Sequence, residues 1–207
     1  MTAPASEFAA AGYRVVENLL PAPVRAFVYE YVTKAARDGR LDPGDDDVPN
    51  TPYRYADPFF ESLLKLLLPI IEEETGIRLY PTYSYVRVYK RGDVLRAHRD
   101  RPSCEISATV SLGYEAARPW PIWIETGGTP AAFELPPGAA LLYKGIDLPH
   151  WRDRFDGAHA AQAFFHYVAR DGAYADWKFD RRAALGTSVA AERIVSALMQ
   201  RSIIATQ

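Results

Sequence analysis

From Arg78 onward the apolar residues of this chain repeat every second position, and Gly and Pro cut the repeat at short, regular intervals. Alternation with period two is the pattern of a strand with one buried face. No helical pattern intervenes between successive runs, so a parallel sheet with crossover helices is not the expectation, and a sandwich or barrel of short strands is. Strands are expected over Cys104–Tyr114, Pro119–Glu125, Phe133–Leu135, Ala139–Tyr143 and Ala161–Val168, with turns at Lys90–Asp93, Gly127–Gly128 and Pro136–Gly138. In the first run, Tyr83, Tyr85, Arg87 and Tyr89 share one face and Ser84, Val86 and Val88 the other. Large polar-tipped rings beside a guanidinium suit the wall of a polar cavity, although a solvated outer face would read the same way.

The part before Arg78 has helical spacing. Pro21 and Pro23 open one helix, carried by Val24, Phe27, Val28, Tyr31, Val32 and Ala35 and ended by Gly39. Asp57-Pro58 caps a second, with Phe59, Phe60, Leu63, Leu64, Leu67, Ile70 and Ile71 on its apolar face, Pro69 bending it and Gly76 closing it. Residues 1–12 read as loose, and Tyr13–Leu20 as an edge strand. The polar stretch Leu41–Thr51 contains Asp45, Asp46 and Asp47 without calcium-loop spacing, and reads as a solvated loop able to lie over a site entrance. Gly172–Arg182 is an aromatic connector that packs against the core or closes over it. Ser188–Ile203 is expected to be an amphipathic helix, with Ala191, Ile194, Val195, Leu198 and Met199 on one face.

The expected fold class is therefore α+β with a mainly β core. One domain of 207 residues is expected, with helical support in 1–77, a jelly-roll core in 78–170 and an extension with a helix in 171–207. A formal net charge of -2 argues against a general nucleic-acid binder. The single cysteine, Cys104, excludes an internal disulfide and fits a reducing compartment. Residues 1–11 have neither a basic nor a long apolar segment, so no signal peptide is expected. The run Leu63–Ile71 is interrupted by Lys65 and Pro69 and is too short to span a bilayer. A cytoplasmic protein without membrane contact is the expectation; the oligomeric state is not encoded legibly.

The chemistry-bearing segment is Arg96-Ala97-His98-Arg99-Asp100-Arg101. In extended chain His98 and Asp100 point to one side, so an imidazole nitrogen and a carboxylate oxygen converge. A second histidine would complete the two-His, one-carboxylate set that binds non-haem Fe(II) on one face and leaves the other positions open. Of the four histidines, His150 stands 52 residues after His98, with strands between them that could carry the chain across a sandwich and back.

The order of these pieces resembles prolyl-hydroxylase-like Fe(II)/2-oxoglutarate dioxygenases. The resemblance runs from about Tyr80 to Val168. It rests on Tyr89-Lys90-Arg91-Gly92, His98-x-Asp100, Ile106-Ser107-Ala108-Thr109-Val110, and Leu135-Pro136-Pro137-Gly138-Ala139-Ala140-Leu141-Leu142-Tyr143 followed by His150. It implies a double-stranded β-helix (jelly roll) buttressed by N-terminal helices. His98, Asp100 and His150 are implied as Fe(II) ligands, with 2-oxoglutarate and O2 as co-substrates. The implied reaction is hydroxylation of an unactivated C–H bond in a small molecule or a protein side chain, with Asp100 disfavouring halogenation. Tyr89 matches the position that touches the 2-oxoglutarate carboxylate.

The sequence departs from the family about ten residues after the distal histidine. A Lys or Arg there usually pairs with the C5 carboxylate, but position 160 is Ala. Arg152, two residues beyond His150, is the favoured substitute, followed by Arg154 and Arg87; Arg152 could instead pair at the surface with Asp153 or Asp156. Gln162 and His166 share one face of their strand, as Ser107, Thr109 and Ser111 share one face of theirs, and Gln162 and His166 read either as pocket lining or as core polar residues. The run Arg96, Arg99, Arg101 suits either an anionic substrate group or a solvated rim. Two other readings keep the jelly roll: a cupin-like metal enzyme that does not use 2-oxoglutarate, and a non-catalytic binding domain.

Overall fold

The computed structural model describes residues 3–187, 193–194 and 196–200. In chain order the elements are α1 Ala3–Ala11, β1 Tyr13–Val16, α2 Ala22–Arg37, β2 Tyr53–Tyr55, α3 Pro58–Thr75, β3 Leu79–Lys90, β4 Leu95–His98, β5 Ile106–Glu115, β6 Ile122–Thr126, β7 Thr129–Phe133, β8 Ala140–Lys144, β9 His150–Arg152 and β10 His159–Ala169. A six-stranded sheet runs β1-β8-β5-β10-β3-β2, and a four-stranded sheet runs β4-β9-β6-β7. Every pairing between these strands is antiparallel. This is the two-sheet jelly roll that the alternation implied.

The helices cover one face of the larger sheet. α3 starts where the Asp57 carboxylate accepts from Phe59 N at 2.9 Å, and ends at Gly76 with φ 71, a left-handed conformation that glycine adopts without strain. Leu63, Leu64, Leu67 and Ile71 are fully buried, together with Val24, Val28 and Val32 of α2. They join one core cluster with Val86, Ala108, Val110, Leu142, Ala163 and Phe165 from the sheet. Each large side chain buried there contributes about 1.5–3 kcal/mol. Between the other face of the larger sheet and the smaller sheet lie two small apolar clusters, around Ile124/Leu141 and Trp120/Phe155. The same face carries a polar set in which Arg87, Ser107, Thr109, Ser111, Gln162 and His166 are all buried.

Three expectations are corrected. Residues 3–11 form α1 rather than a loose segment; Ala5 and Phe8 anchor it, too few to show as a periodic stripe. The strand expected at Phe133–Leu135 is β7, Thr129–Phe133, because Gly127 and Gly128 (φ 57 and 79) make a two-residue hairpin turn and the return strand starts at once. The edge strand expected over Tyr13–Leu20 stops at Val16. Of the expected C-terminal helix, residues 193–194 and 196–200 are helical, and Leu198 and Met199 pack against the main core, whereas Ile194 is exposed. Ser188, Ala191, Val195 and positions 201–203 lie outside the described residues. Among the described residues, no helix is long and apolar enough to cross a membrane.

Candidate metal centre

His98 ends β4 and His150 begins β9, and the antiparallel register sets these two residues directly opposite each other. Their rings lie 4.3 Å apart between centroids. Asp100 follows β4, its N–H donating to Gly145 O at 2.9 Å. Asp100 Oδ1 stands 3.7 Å from His98 Nε2 and 3.5 Å from His150 Nε2. Three ligand atoms about 2.1 Å from an ion, on one face of an octahedron, would be about 3 Å apart. The observed spacing is therefore within a small side-chain adjustment of a facial triad. His150 is buried, whereas His98 is 36% exposed, so the centre opens on the His98 side.

Backbone carbonyls orient both rings. His98 Nδ1 is 2.8 Å from Arg96 O, and His150 Nδ1 is 2.9 Å from Leu148 O. A carbonyl can only accept, so each Nδ1 carries a proton, and each Nε2 is the nitrogen turned toward Asp100, the one a metal would take. Burial alone would raise the Asp100 carboxyl, but hydrogen bonding and charge from His150 outweigh it, with help from His166 and Ser107, and hold it down to about 2. Asp100 is thus ionised, as a metal ligand must be, at neutral pH.

Tyr83, Tyr85, Arg87, Tyr89, Tyr143 and Phe164 line the cavity beside the centre. The alternating face of β3 is therefore the cavity wall and not a solvated surface. The loop read as lying over a site entrance does so: Asp45 pairs with Arg87 and accepts from Tyr85 OH, and Asp47 borders the opening. Arg87 also donates to Val48 O at 3.3 Å, so its charge is compensated from this loop.

Arg152 lies buried behind this wall. It donates to Trp120 O at 2.5 Å and to Gln162 Oε1 at 3.4 Å. Its Nε has no partner, and no carboxylate pairs with it among the described residues; the alternative pairing with Asp153 or Asp156 does not occur. Burial lowers its pKa to about 10, against the raising influence of Tyr89 and Tyr143, so it is still a cation at neutral pH. On β5, Thr109 Oγ1 and Ser111 Oγ are likewise buried without hydrogen-bond partners, and Ser111 sits opposite Gln162 in the register. Buried polar atoms are nearly always paired, so three orphans, two on β5 of the larger sheet and one on the β9 cation of the smaller sheet, fit an absent anionic ligand.

The arginine run near the centre does not line the cavity. Arg101 makes a two-pronged pair with Asp180 at 2.8 Å and 2.8 Å, and Arg99 Nε donates to Asp147 O at 3.1 Å. Asp180 also accepts from Tyr55 OH at 2.6 Å. Phe179, Asp180 and Arg181 have φ 55, 56 and 59, a left-handed run costing about 1–2 kcal/mol per residue. The ties from Arg101 and Tyr55 hold that run in place, so the connector 172–182 packs beside the centre.

His166, Ser107 and Gly145 also belong to the site, although sequence patterning gave them no role there beyond a possible pocket lining by His166. Ser107 Oγ is 2.7 Å from Asp100 Oδ2 and 2.9 Å from His166 Nδ1. Burial pulls His166 from 6.5 down to about 4, opposed by Asp100. Between those values the unfolded chain binds a proton that the folded chain refuses, so stability is full above pH 6.5 and falls as the pH drops to 4. The loss is about 3 kcal/mol. Asp100, lowered from 3.8 to about 2, adds loss only below pH 3.8. Urea unfolding of the chelated protein at pH 7 and pH 4.5 checks this; an equally steep fall in His166→Phe would refute the assignment to His166.

No protein-family model and no curated protein matches the chain. Solved structures do. A prolyl-4-hydroxylase of Pseudomonas putida superposes with TM-score 0.66 at 18% identity, covering 81% of this chain and 98% of that one. A Trichoplax adhaerens prolyl hydroxylase, solved with a hypoxia inducible factor peptide fragment, gives 0.67 at 12% identity, with coverage of 80% and 87%. EctD from S. alaskensis, solved with 2-oxoglutarate and 5-hydroxyectoine, gives 0.67 at 17% identity, with coverage of 91% and 87%. The fold is that of the prolyl-hydroxylase-like 2-oxoglutarate/Fe(II) oxygenases, as the motif order implied.

Proposed function

We propose that this chain is an Fe(II)- and 2-oxoglutarate-dependent oxygenase that hydroxylates an unactivated C–H bond of a small molecule or peptide. The observation carrying this reading is the pairing of two features: the converging His98, Asp100 and His150, and an uncompensated buried guanidinium at Arg152. Arg152 is two residues beyond His150 on β9, about 6.5 Å along the strand. A diacid with one end at the centre would place the other near Arg152, with Thr109 and Ser111 as hydroxyl donors and Tyr89 along its length. Arg87 serves less well as that anchor, because Asp45 already neutralises it.

His98, Asp100 and His150 would hold the ion, and the bound metal with 2-oxoglutarate would supply the oxidising chemistry. The chain's own contribution is positional. The Arg96 and Leu148 carbonyls fix the imidazole protons on Nδ1, the Tyr89, Trp120 and Phe155 cluster keeps water from the Arg152 end, and the opening by His98, Asp47 and Tyr85 admits the substrate. Neighbours of this fold were solved with a hypoxia inducible factor peptide fragment and with 5-hydroxyectoine, which supports a reading that takes in both peptide and small-molecule substrates.

Anaerobic titration of the purified protein with Fe(II) and then 2-oxoglutarate tests the reading. A weak visible charge-transfer band should grow to one equivalent of each, and should be lost in Asp100→Ala. Tight Fe(II) binding with no response to 2-oxoglutarate would favour the cupin-like alternative, and no Fe(II) binding by folded protein would favour a non-catalytic domain.

A further inference from the structure

The two carboxylate oxygens of Asp100 have different surroundings. Oδ1 faces the imidazole nitrogens, at 3.7 Å and 3.5 Å. Oδ2 faces away and lies 2.7 Å from Ser107 Oγ. A serine hydroxyl has one proton, and a carboxylate only accepts, so Ser107 donates to Oδ2. Ser107 Oγ must then act as acceptor toward its other close partner, His166 Nδ1 at 2.9 Å. His166 therefore carries a proton on Nδ1, and its ring is held against Tyr83 with centroids 4.5 Å apart. The Cys104 carbonyl, 3.2 Å from Ser107 Oγ, accepts from the same hydroxyl, but the shorter 2.7 Å contact to the carboxylate takes the proton, and this sets the direction from His166 to Ser107 to Asp100.

We infer that Ser107 and His166 are positioning residues that bind Asp100 Oδ2 and so present Oδ1 alone to the metal. The inference rests on the reading of His98, Asp100 and His150 as ligands. A carboxylate free to rotate could offer both oxygens and take up two positions on the ion. Held by Ser107, it takes one, and the positions that a co-substrate and O2 require stay open. The register supports the relay: Ser107 and His166 are directly paired on β5 and β10, and Ser107 is paired on its other side with Tyr143, whose hydroxyl is 3.4 Å from His150 Nε2. One row across the larger sheet thus sits under the centre.

Anaerobic Co(II) titration, with Co(II) as an absorbing probe of coordination, separates the possibilities for the wild type, Ser107→Ala, Ser107→Thr and His166→Phe. Circular dichroism of each metal-free protein confirms folding. Ser107→Ala should weaken Co(II) roughly 10- to 100-fold and change the ligand-field bands, since an Oδ2 released from its donor can enter the coordination sphere. Ser107→Thr keeps the hydroxyl and should return both affinity and spectrum toward wild type. His166→Phe leaves Ser107 in place but removes its donor, and should reproduce part of the loss. Wild-type affinity and spectrum in either Ser107→Ala or His166→Phe overturns the relay. Failure of the wild-type protein to bind Co(II) overturns the reading of the centre itself.

Discussion

Arg152→Met should abolish tight 2-oxoglutarate binding while leaving the metal-free protein at least as stable as wild type. Truncating one side of a buried charge pair costs about 2–5 kcal/mol of binding, so the dissociation constant for 2-oxoglutarate should rise roughly 30- to several-thousand-fold. Fe(II) affinity should change little, because among the described residues no hydrogen bond or ion pair joins Arg152 to His98, Asp100 or His150. Stability should move the other way. Without ligand, the guanidinium is a buried cation whose Nε has no partner. Replacing buried charge with well-packed apolar volume gains about 1–4 kcal/mol. Loss of the bond to Trp120 O removes about 1 kcal/mol of that. Arg87→Met should behave oppositely, losing stability because it strands the Asp45 carboxylate that now pairs with it. Isothermal titration and urea unfolding of both variants check the contrast. If Arg87→Met, and not Arg152→Met, loses 2-oxoglutarate, the anchor is misassigned.

Gly145→Ala should destroy the metal centre from outside it. A Cβ at this position would stand 2.2 Å from Asp100 Oδ2, 2.9 Å from Asp100 Cγ and 2.5 Å from Cys104 O. The Cys104 carbonyl is backbone and yields only if the neighbouring 3-10 turn moves. Asp100 is the easier group to displace, and displacing it breaks the bond to Ser107 as well as the aim of Oδ1. Fe(II) affinity should fall by roughly 100-fold, the upper end of what disturbed ligand support costs, with about 1–3 kcal/mol of stability lost to overpacking. Wild-type Fe(II) binding in Gly145→Ala would show that Asp100 is not held as described.

The contrast between these two residues shows what a sequence can carry. That Arg152 is buried on the same strand face as His150 was legible because the relation is local: two residues along a strand fix the same face whatever the rest of the chain does. His98 and Asp100 were legible for the same reason, and His150 because the chain offers few histidines and a strand-rich path between them. Gly145 was not, since its importance comes from the contact between the end of β8 and the segment after β4, which no periodicity records. Ser107 and His166 fall between. Alternation placed both on polar faces, but their partnership depends on β5–β10 register, and a slip of one residue would have separated them. The Asp45 loop was placed over the entrance by length and polarity, yet the choice of Asp45 as the partner of Arg87 is set by tertiary packing.

The pairing of His98 with His150 has a mechanical side. β4 is the outermost strand of the smaller sheet, bonded on one side only, to β9. An ion held between the two histidines would be a cross-strand staple on a strand that otherwise has one neighbour. Part of the binding free energy would then be spent on suppressing fraying of that edge, and part of the edge's order would be supplied by the ion. On the proposed reading, metal affinity and the local opening of β4 are two measurements of one equilibrium, so a substitution anywhere on the β4–β9 ladder would act on the centre without touching a ligand.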